Sequence, residues 1–158
     1  GIESTVLDLS GATPTILRPG AVSREAIESI IGPVQLFQGT IDASTAAPSP
    51  GLHKLHYAPI TPTYRFEIGE GNRVISWSEK NPTKNALVLA IGNETIPPNL
   101  VRIAMPTDAA DYARQLYAVL RHADRQSPAA IWIEMPPDEP QWLAVRDRLL
   151  RASREWTQ

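Results

Sequence analysis

An α/β domain with a mainly parallel sheet packed in three layers is the fold class predicted for the chain from about Ile60 to Gln158. Three observations predict it. Ala86-Leu-Val-Leu-Ala-Ile91 is a continuous apolar run ended by Gly92, as in a strand buried on both faces. Between Asp108 and Arg125, Ala109, Ala113, Leu116, Leu120 and Ala123 recur at three- and four-residue spacing, with Tyr112 and Tyr117 beside them, which makes one apolar helical face. A second short apolar run, Ala129–Glu134, leads into another helical stripe. Strands that alternate with helices in this way build parallel sheets covered on both faces.

The elements follow in order. Glu3 to Leu9 alternates toward its end, and Thr5, Val6 and Leu7 favour extended backbone. Ser10-Gly-Ala-Thr13 is a turn signal. Pro14 can open a second strand, where its missing N–H matters least, and Thr15-Ile-Leu-Arg18 continues it until Pro19-Gly20. The two strands predict a hairpin. Ser23 is placed to cap a helix that has Glu25 in its first turn and Ile27, Ile30 and Ile31 on one face, ended by Gly32-Pro33. Residues 1–32 are too few to bury a core alone. Gly1 leads straight into a strand, so the chain is expected to open inside a domain. Residues 33–59 lack a sustained period and predict a linker, a length that is usually functional or disordered. Beyond it, Thr63–Phe66 and Arg73–Trp77 predict short strands around a Gly69-Glu-Gly71 turn. Val101–Met105 predicts a weaker strand. Asp138 is expected to cap the last helix with Gln141 as partner in a capping box, and Trp142, Val145, Leu149 and Trp156 form its apolar stripe.

Composition narrows the function. With 42% hydrophobic and 20% charged residues the chain is globular, not disordered. A net charge of −2 does not suit a broad nucleic-acid-binding face. The absence of cysteine excludes disulfides and thiolate chemistry and suits a cytoplasmic location. Three histidines without cysteine oppose a structural zinc site. No apolar run approaches the roughly 20 residues that span a bilayer. There is no Gly-rich phosphate loop, no Gly-x-Ser-x-Gly elbow and no His-Glu-x-x-His.

Candidate chemistry sits in four places. Ser4 and Thr5 read either as plain strand hydroxyls or as donors to a small ligand. Arg18, at the mouth of a turn, is either solvated or a guanidinium fork for a phosphate or carboxylate. Ser49-Pro-Gly-Leu-His-Lys-Leu-His-Tyr-Ala-Pro59 crowds His53, Lys54, His56 and Tyr57 onto an irregular segment; these either pin a linker or cover a ligand, with Tyr57 stacking on a base or bonding a phosphate. Glu134 ends a strand where open α/β sheets place ligands, or is simply a solvated strand end.

Glu3-Ser-Thr-Val-Leu-Asp8, Pro14-Thr-Ile-Leu-Arg-Pro-Gly20, Ser49-Pro-Gly51 with His56-Tyr-Ala-Pro59, and Ala144-Val-Arg-Asp-Arg-Leu149 together resemble the two-domain threonylcarbamoyl-AMP synthases. The resemblance implies a partial YrdC-type α+β domain over residues 1–32, an interdomain linker over 33–59 and a Rossmann-like α/β domain over 60–158. It places the family's Lys/Arg pair and Ser-x-Asn motif upstream of Gly1. It implies a nucleotidyltransferase that forms threonylcarbamoyl-adenylate and pyrophosphate from L-threonine, bicarbonate and ATP, with Mg2+ accompanying the ATP. The product would pass to the machinery that modifies a tRNA adenosine beside the anticodon, without stable binding of nucleic acid by this protein. By motif position Ser4 matches the serine that contacts threonine, Arg18 the arginine on ATP phosphate, and Tyr57 the linker residue that closes over the nucleotide. Leu55 stands where the family's linker has an arginine. The residues alone also admit a non-catalytic ligand-binding or regulatory α/β module.

Overall fold

The computed structural model describes residues 2–37, 58–93 and 95–157. Its larger part is a five-stranded sheet whose neighbouring strands all run parallel. The strands are β4 (Thr63–Phe66), β5 (Ala86–Ala90), β6 (Val101–Ala104), β7 (Ala130–Glu134) and β8 (Arg154–Glu155), in the order β6-β5-β7-β4-β8. β5 and β7 are central and buried at every residue. Their side chains divide by the two-residue period of a strand. Leu87, Leu89, Ile131 and Ile133 face α3 (Ala109–Arg125) and α4 (Leu143–Ala152). Ala86, Val88, Ala90, Ala130 and Trp132 face α2 (Asn72–Lys80) and the 95–100 loop. Helices on both faces make the expected three layers.

The small side chains on the α2 face make room for a large one. Alanines at 86, 90 and 130 surround Trp132, which is fully buried. Its ring centroid lies 5.2 Å from Tyr64, 6.2 Å from Phe66, 6.3 Å from Trp77 and 5.9 Å from Trp156. Tilted and edge-on contacts of this kind are the favourable aromatic arrangements.

Three expectations for this domain need correction. Residues 73–77 are helical, inside α2, and not a strand. Their β-branched and aromatic content suits a strand, but Val74, Trp77 and Ser78 are buried at three- and four-residue spacing. Topology agrees, because β4 and β5 both lie parallel to β7 and the chain must return between them. The last helix begins later than Asp138: Pro140 opens a 3-10 turn (Pro140–Trp142), and α4 follows. Asp138 faces Arg146 at 3.5 Å and Gln141 bonds the Glu139 carboxylate, so neither forms the capping box. Trp156 lies beyond α4, past the short strand β8, on the opposite face of the sheet from Val145 and Leu149. Ser153 leaves the helix in extended conformation, and its carbonyl accepts from Arg65 Nη1 at 2.8 Å, which turns the chain along β4. By contrast, α3 begins where the pattern opens it, and Asp108 caps it by accepting from Asp111 N–H at 2.9 Å.

The amino-terminal unit is a small sheet. β1 (Val6–Asp8) pairs antiparallel with β2 (Thr15–Arg18), the expected hairpin. Ser23 caps α1 (Arg24–Ile31), and Gly32 ends it at φ 82° with its N–H on Glu28 O. The apolar face expected on α1 is largely open here: Ile30 is 83% exposed and Ile31 43%. Residues 34–37, expected as the start of the linker, belong instead to the sheet. β3 (Gln35–Leu36) runs parallel to β2, and Val34 is buried. The Glu28 carboxylate holds this turn by accepting from Val34 N–H at 3.1 Å and from Arg24 Nε at 2.9 Å.

Candidate functional site

β1 runs toward the 9–14 turn and β2 runs back from it. Ser4, two residues before β1, and Arg18, the last residue of β2, therefore share the open end of the hairpin. Ser4 is exposed and Arg18 half-buried, opposite Val6. Gly20 makes this end tight. A Cβ there would lie 2.4 Å from both the Ser4 carbonyl carbon and the Thr5 nitrogen, so no side chain fits. Ala21 N–H donates to Glu3 O at 2.9 Å. Thr5 Oγ1 donates to Val22 O at 2.9 Å and accepts from Val22 N–H at 3.2 Å. The Thr5 hydroxyl is thus committed to the backbone, while Ser4 faces outward.

This end rests on the α/β domain. Ile2 is buried in the core formed with Tyr112, Trp142, Val145 and Leu149. Arg148 of α4, itself only 7% exposed, donates from Nη2 to Pro19 O at 3.1 Å. Beside these contacts a cleft of about 1000 Å³ opens between the two units, at the upper end of the usual range for small-molecule pockets. One wall is residues 19–25; the other is residues 107–114 and 138–145, which follow the carboxyl ends of β6 and β7. That is the edge of an open parallel sheet at which ligands are commonly held.

Glu134 belongs to neither expectation. It is 1% exposed, so it is not a solvated strand end, and Oε2 accepts from Ile91 N–H at 2.7 Å and Gly92 N–H at 3.0 Å. The carboxylate ties the end of β7 to the end of β5. Burial first and the Glu134 charge second hold the Tyr112 phenol well above its usual range, so the ring stays neutral. Sequence reasoning missed Arg148, whose signal was a run of charged residues, Arg146-Asp-Arg148, between the buried Val145 and Leu149. His53, Lys54, Leu55, His56 and Tyr57 lie outside the described residues.

The profile of the family described as "Threonylcarbamoyl-AMP synthase, C-terminal domain" matches residues 22–154. The chain belongs to this family. Similarity to threonylcarbamoyl-AMP synthases also runs through the residues ahead of the matched domain. The Bacillus subtilis threonylcarbamoyl-AMP synthase is 32% identical over 169 residues, covering 97% of this chain and 45% of that protein. The Pyrococcus abyssi threonylcarbamoyl-AMP synthase is 33% identical over 158 residues, covering 97% and 46%. Two solved structures of Pyrococcus abyssi Sua5 superpose at 27% identity. One, with an adjacent histidine and tyrosine changed to alanine, has a TM-score of 0.77 and covers 96% of this chain and 44% of its own. The other, complexed with L-threonine, has a TM-score of 0.73 and covers 96% and 45%. The chain thus spans slightly less than half the length of the relatives it matches.

Proposed function

We propose that this chain is the carboxyl-terminal part of an L-threonylcarbamoyladenylate synthase. The enzyme would join L-threonine, bicarbonate and ATP into threonylcarbamoyl-AMP and release pyrophosphate, and a tRNA-modifying transfer system would consume the product. The observation that carries this reading is the continuous similarity, over 97% of the chain, to proteins named for that product. Residues 1–37 are proposed as part of the YrdC-type catalytic domain, 38–59 as the linker and 60–158 as the second domain.

Within that reading Ser4 contacts threonine, Arg18 holds ATP phosphate and Tyr57 closes over the nucleotide. The threonine complex of the Pyrococcus relative supports a threonine site in this family. The alanine substitutions in the other relative fall on an adjacent His–Tyr pair, and this chain contains one such pair, His56-Tyr57. Forming the mixed anhydride places new negative charge at the phosphorus, which a guanidinium such as Arg18 stabilises. The product hydrolyses readily, so closure of a linker over it has a chemical purpose. Among the described residues no group of three or more His, Asp or Glu side chains converges as a metal site would. Mg2+ enters the proposal as the counter-ion of the nucleotide. No helix among the described residues is long and apolar enough to cross a membrane, and a cytoplasmic location is part of the proposal.

The test is pyrophosphate release by the synthase that contains this chain, with ATP and bicarbonate, in the presence and absence of L-threonine. Release that requires threonine is expected; release indifferent to it overturns the assignment. The 158-residue chain by itself is expected to be inactive, because the Lys/Arg pair and Ser-x-Asn motif are not in it.

A further inference from the structure

We infer that Arg148 is a positioning residue for the threonine end of the site, so that α4 of the second domain sets where the Ser4 hydroxyl lies. The inference rests on the assignment of Ser4 to threonine.

Arg148 bonds in two directions. One side of its guanidinium meets Asp147, which is also held by Arg151 Nε at 3.1 Å and Nη2 at 2.8 Å. The other side, Nη2, leaves its own domain and reaches Pro19 O, 129 residues away in sequence. A planar fork can serve two acceptors in fixed directions, which a lysine ammonium cannot do equally well. From Pro19 the constraint passes through main chain alone. The next residue, Gly20, presses on the Ser4–Thr5 backbone, and Ala21 N–H holds Glu3 O. From the other direction, Ile2 is buried in the same core as Val145 and Leu149 of α4. Ser4 is thereby bracketed, two residues from Ile2 and across a main-chain contact from the Pro19–Gly20 turn, and both of these points are held by the second domain. Because Asp147 keeps Arg151, Arg148 is not needed to neutralise Asp147. A buried charge that serves only its own domain is weak evidence of stabilisation; this one spans the junction.

The test uses the synthase that contains this chain, with Arg148→Met, Arg148→Lys, Ser4→Ala and the Arg148→Met/Ser4→Ala double variant. KM for L-threonine and for ATP is measured together with the melting temperature. Methionine keeps the apolar stem of Arg148 and leaves Asp147 with Arg151. Expected are a threonine KM raised at least tenfold in Arg148→Met with ATP KM changed less than twofold, partial recovery in Arg148→Lys, and a double variant no worse than the worse single. An unchanged threonine KM with a lowered melting temperature would mean that Arg148 only docks the two units, and additive effects of the two substitutions would equally overturn the inference. If Ser4→Ala leaves threonine KM unchanged, the Ser4 assignment fails and the inference falls with it. If Ser4→Ala weakens threonine while Arg148→Met does not, the assignment stands and the inference alone is wrong. Should Arg148→Met not fold, Arg148→Gln, neutral and shorter, is judged on the same threonine KM.

Discussion

At Gly20 the constraint is a single missing carbon. Its neighbours within 3 Å of a would-be Cβ are main-chain atoms of Ser4 and Thr5, which cannot rotate aside as a side chain would. Gly20→Ala should therefore force the hairpin end apart. Overpacking of a close contact costs about 1–3 kcal/mol, and for a chain of this size each kcal/mol lowers the melting temperature by roughly 2–4 °C. Thermal unfolding checks it, and a melting temperature within a degree of the parent would show that the hairpin relaxes freely. The sequence displayed Pro19-Gly20 as a strand terminator but held no sign of what Gly20 touches, because the contact is with Ser4 and Thr5, far back in the chain. Thr5 and Glu134 were equally ambiguous. A hydroxyl or carboxylate has the same letter whether it meets a ligand or a backbone N–H. Only the fold reveals that Thr5 bonds Val22 and Glu134 bonds Ile91 and Gly92.

Elements were legible where a period ran long or burial was complete on both faces. The α3 stripe that opens at Asp108, the β5 and β7 runs, the hairpin and the cap at Ser23 all stand where the pattern puts them. The failures share a cause: a short segment in which tertiary context overrides composition. Val74, Ile75 and Trp77 suit a strand, yet α2 buries Val74 and Trp77 against Trp132. β3 and β8 are two-residue strands that exist because β2 and β4 would otherwise present unpaired edges. Trp132 is the test of the α2 layer. Trp132→Ala should lose about 3–5 kcal/mol, the usual cost of emptying an aromatic core site. Trp132→Phe should cost less than half as much. It keeps most ring contacts and removes an indole N–H that is buried without a hydrogen-bond partner among the described residues. Urea unfolding of the three proteins decides it, and equal losses for the two substitutions would contradict this account of the core.

At the scale of the molecule, the question is how the second domain is entered. The chain reaches β4 through residues 60–61, and these are tied to the far end of α3 by one carboxylate. Asp124 Oδ1 accepts from Thr61 N–H at 2.9 Å and Oδ2 from Ile60 N–H at 3.1 Å. Burial, the largest single influence, raises the Asp124 pKa, but the hydrogen bonds from Thr61 and Ile60 together outweigh it and hold the carboxyl below its usual 3.8. The sign follows from linkage: a carboxyl with a depressed pKa in the folded state adds stability above its unfolded pKa, and that contribution disappears as pH falls through the folded value. The tether should therefore be intact at neutral pH and lost only in acid, below the ordinary carboxylate range. Hydrogen bonds to a charged group contribute about 1.5–3 kcal/mol, so Asp124→Asn should lose up to that much at pH 7. The measurement is the urea midpoint at pH 7 and pH 3 for both proteins, with amide exchange at Ile60 and Thr61. Other carboxylates, Asp8 and Glu28 among them, also have lowered pKa values and weaken both proteins in acid. The tether is therefore read from the gap between the two proteins, which should be wide at pH 7 and narrow at pH 3. Faster exchange at Ile60 and Thr61 in Asp124→Asn at neutral pH would locate the loss at the junction. A gap that stays constant between the two pH values would show that the charge on Asp124 does not hold the entry to the domain.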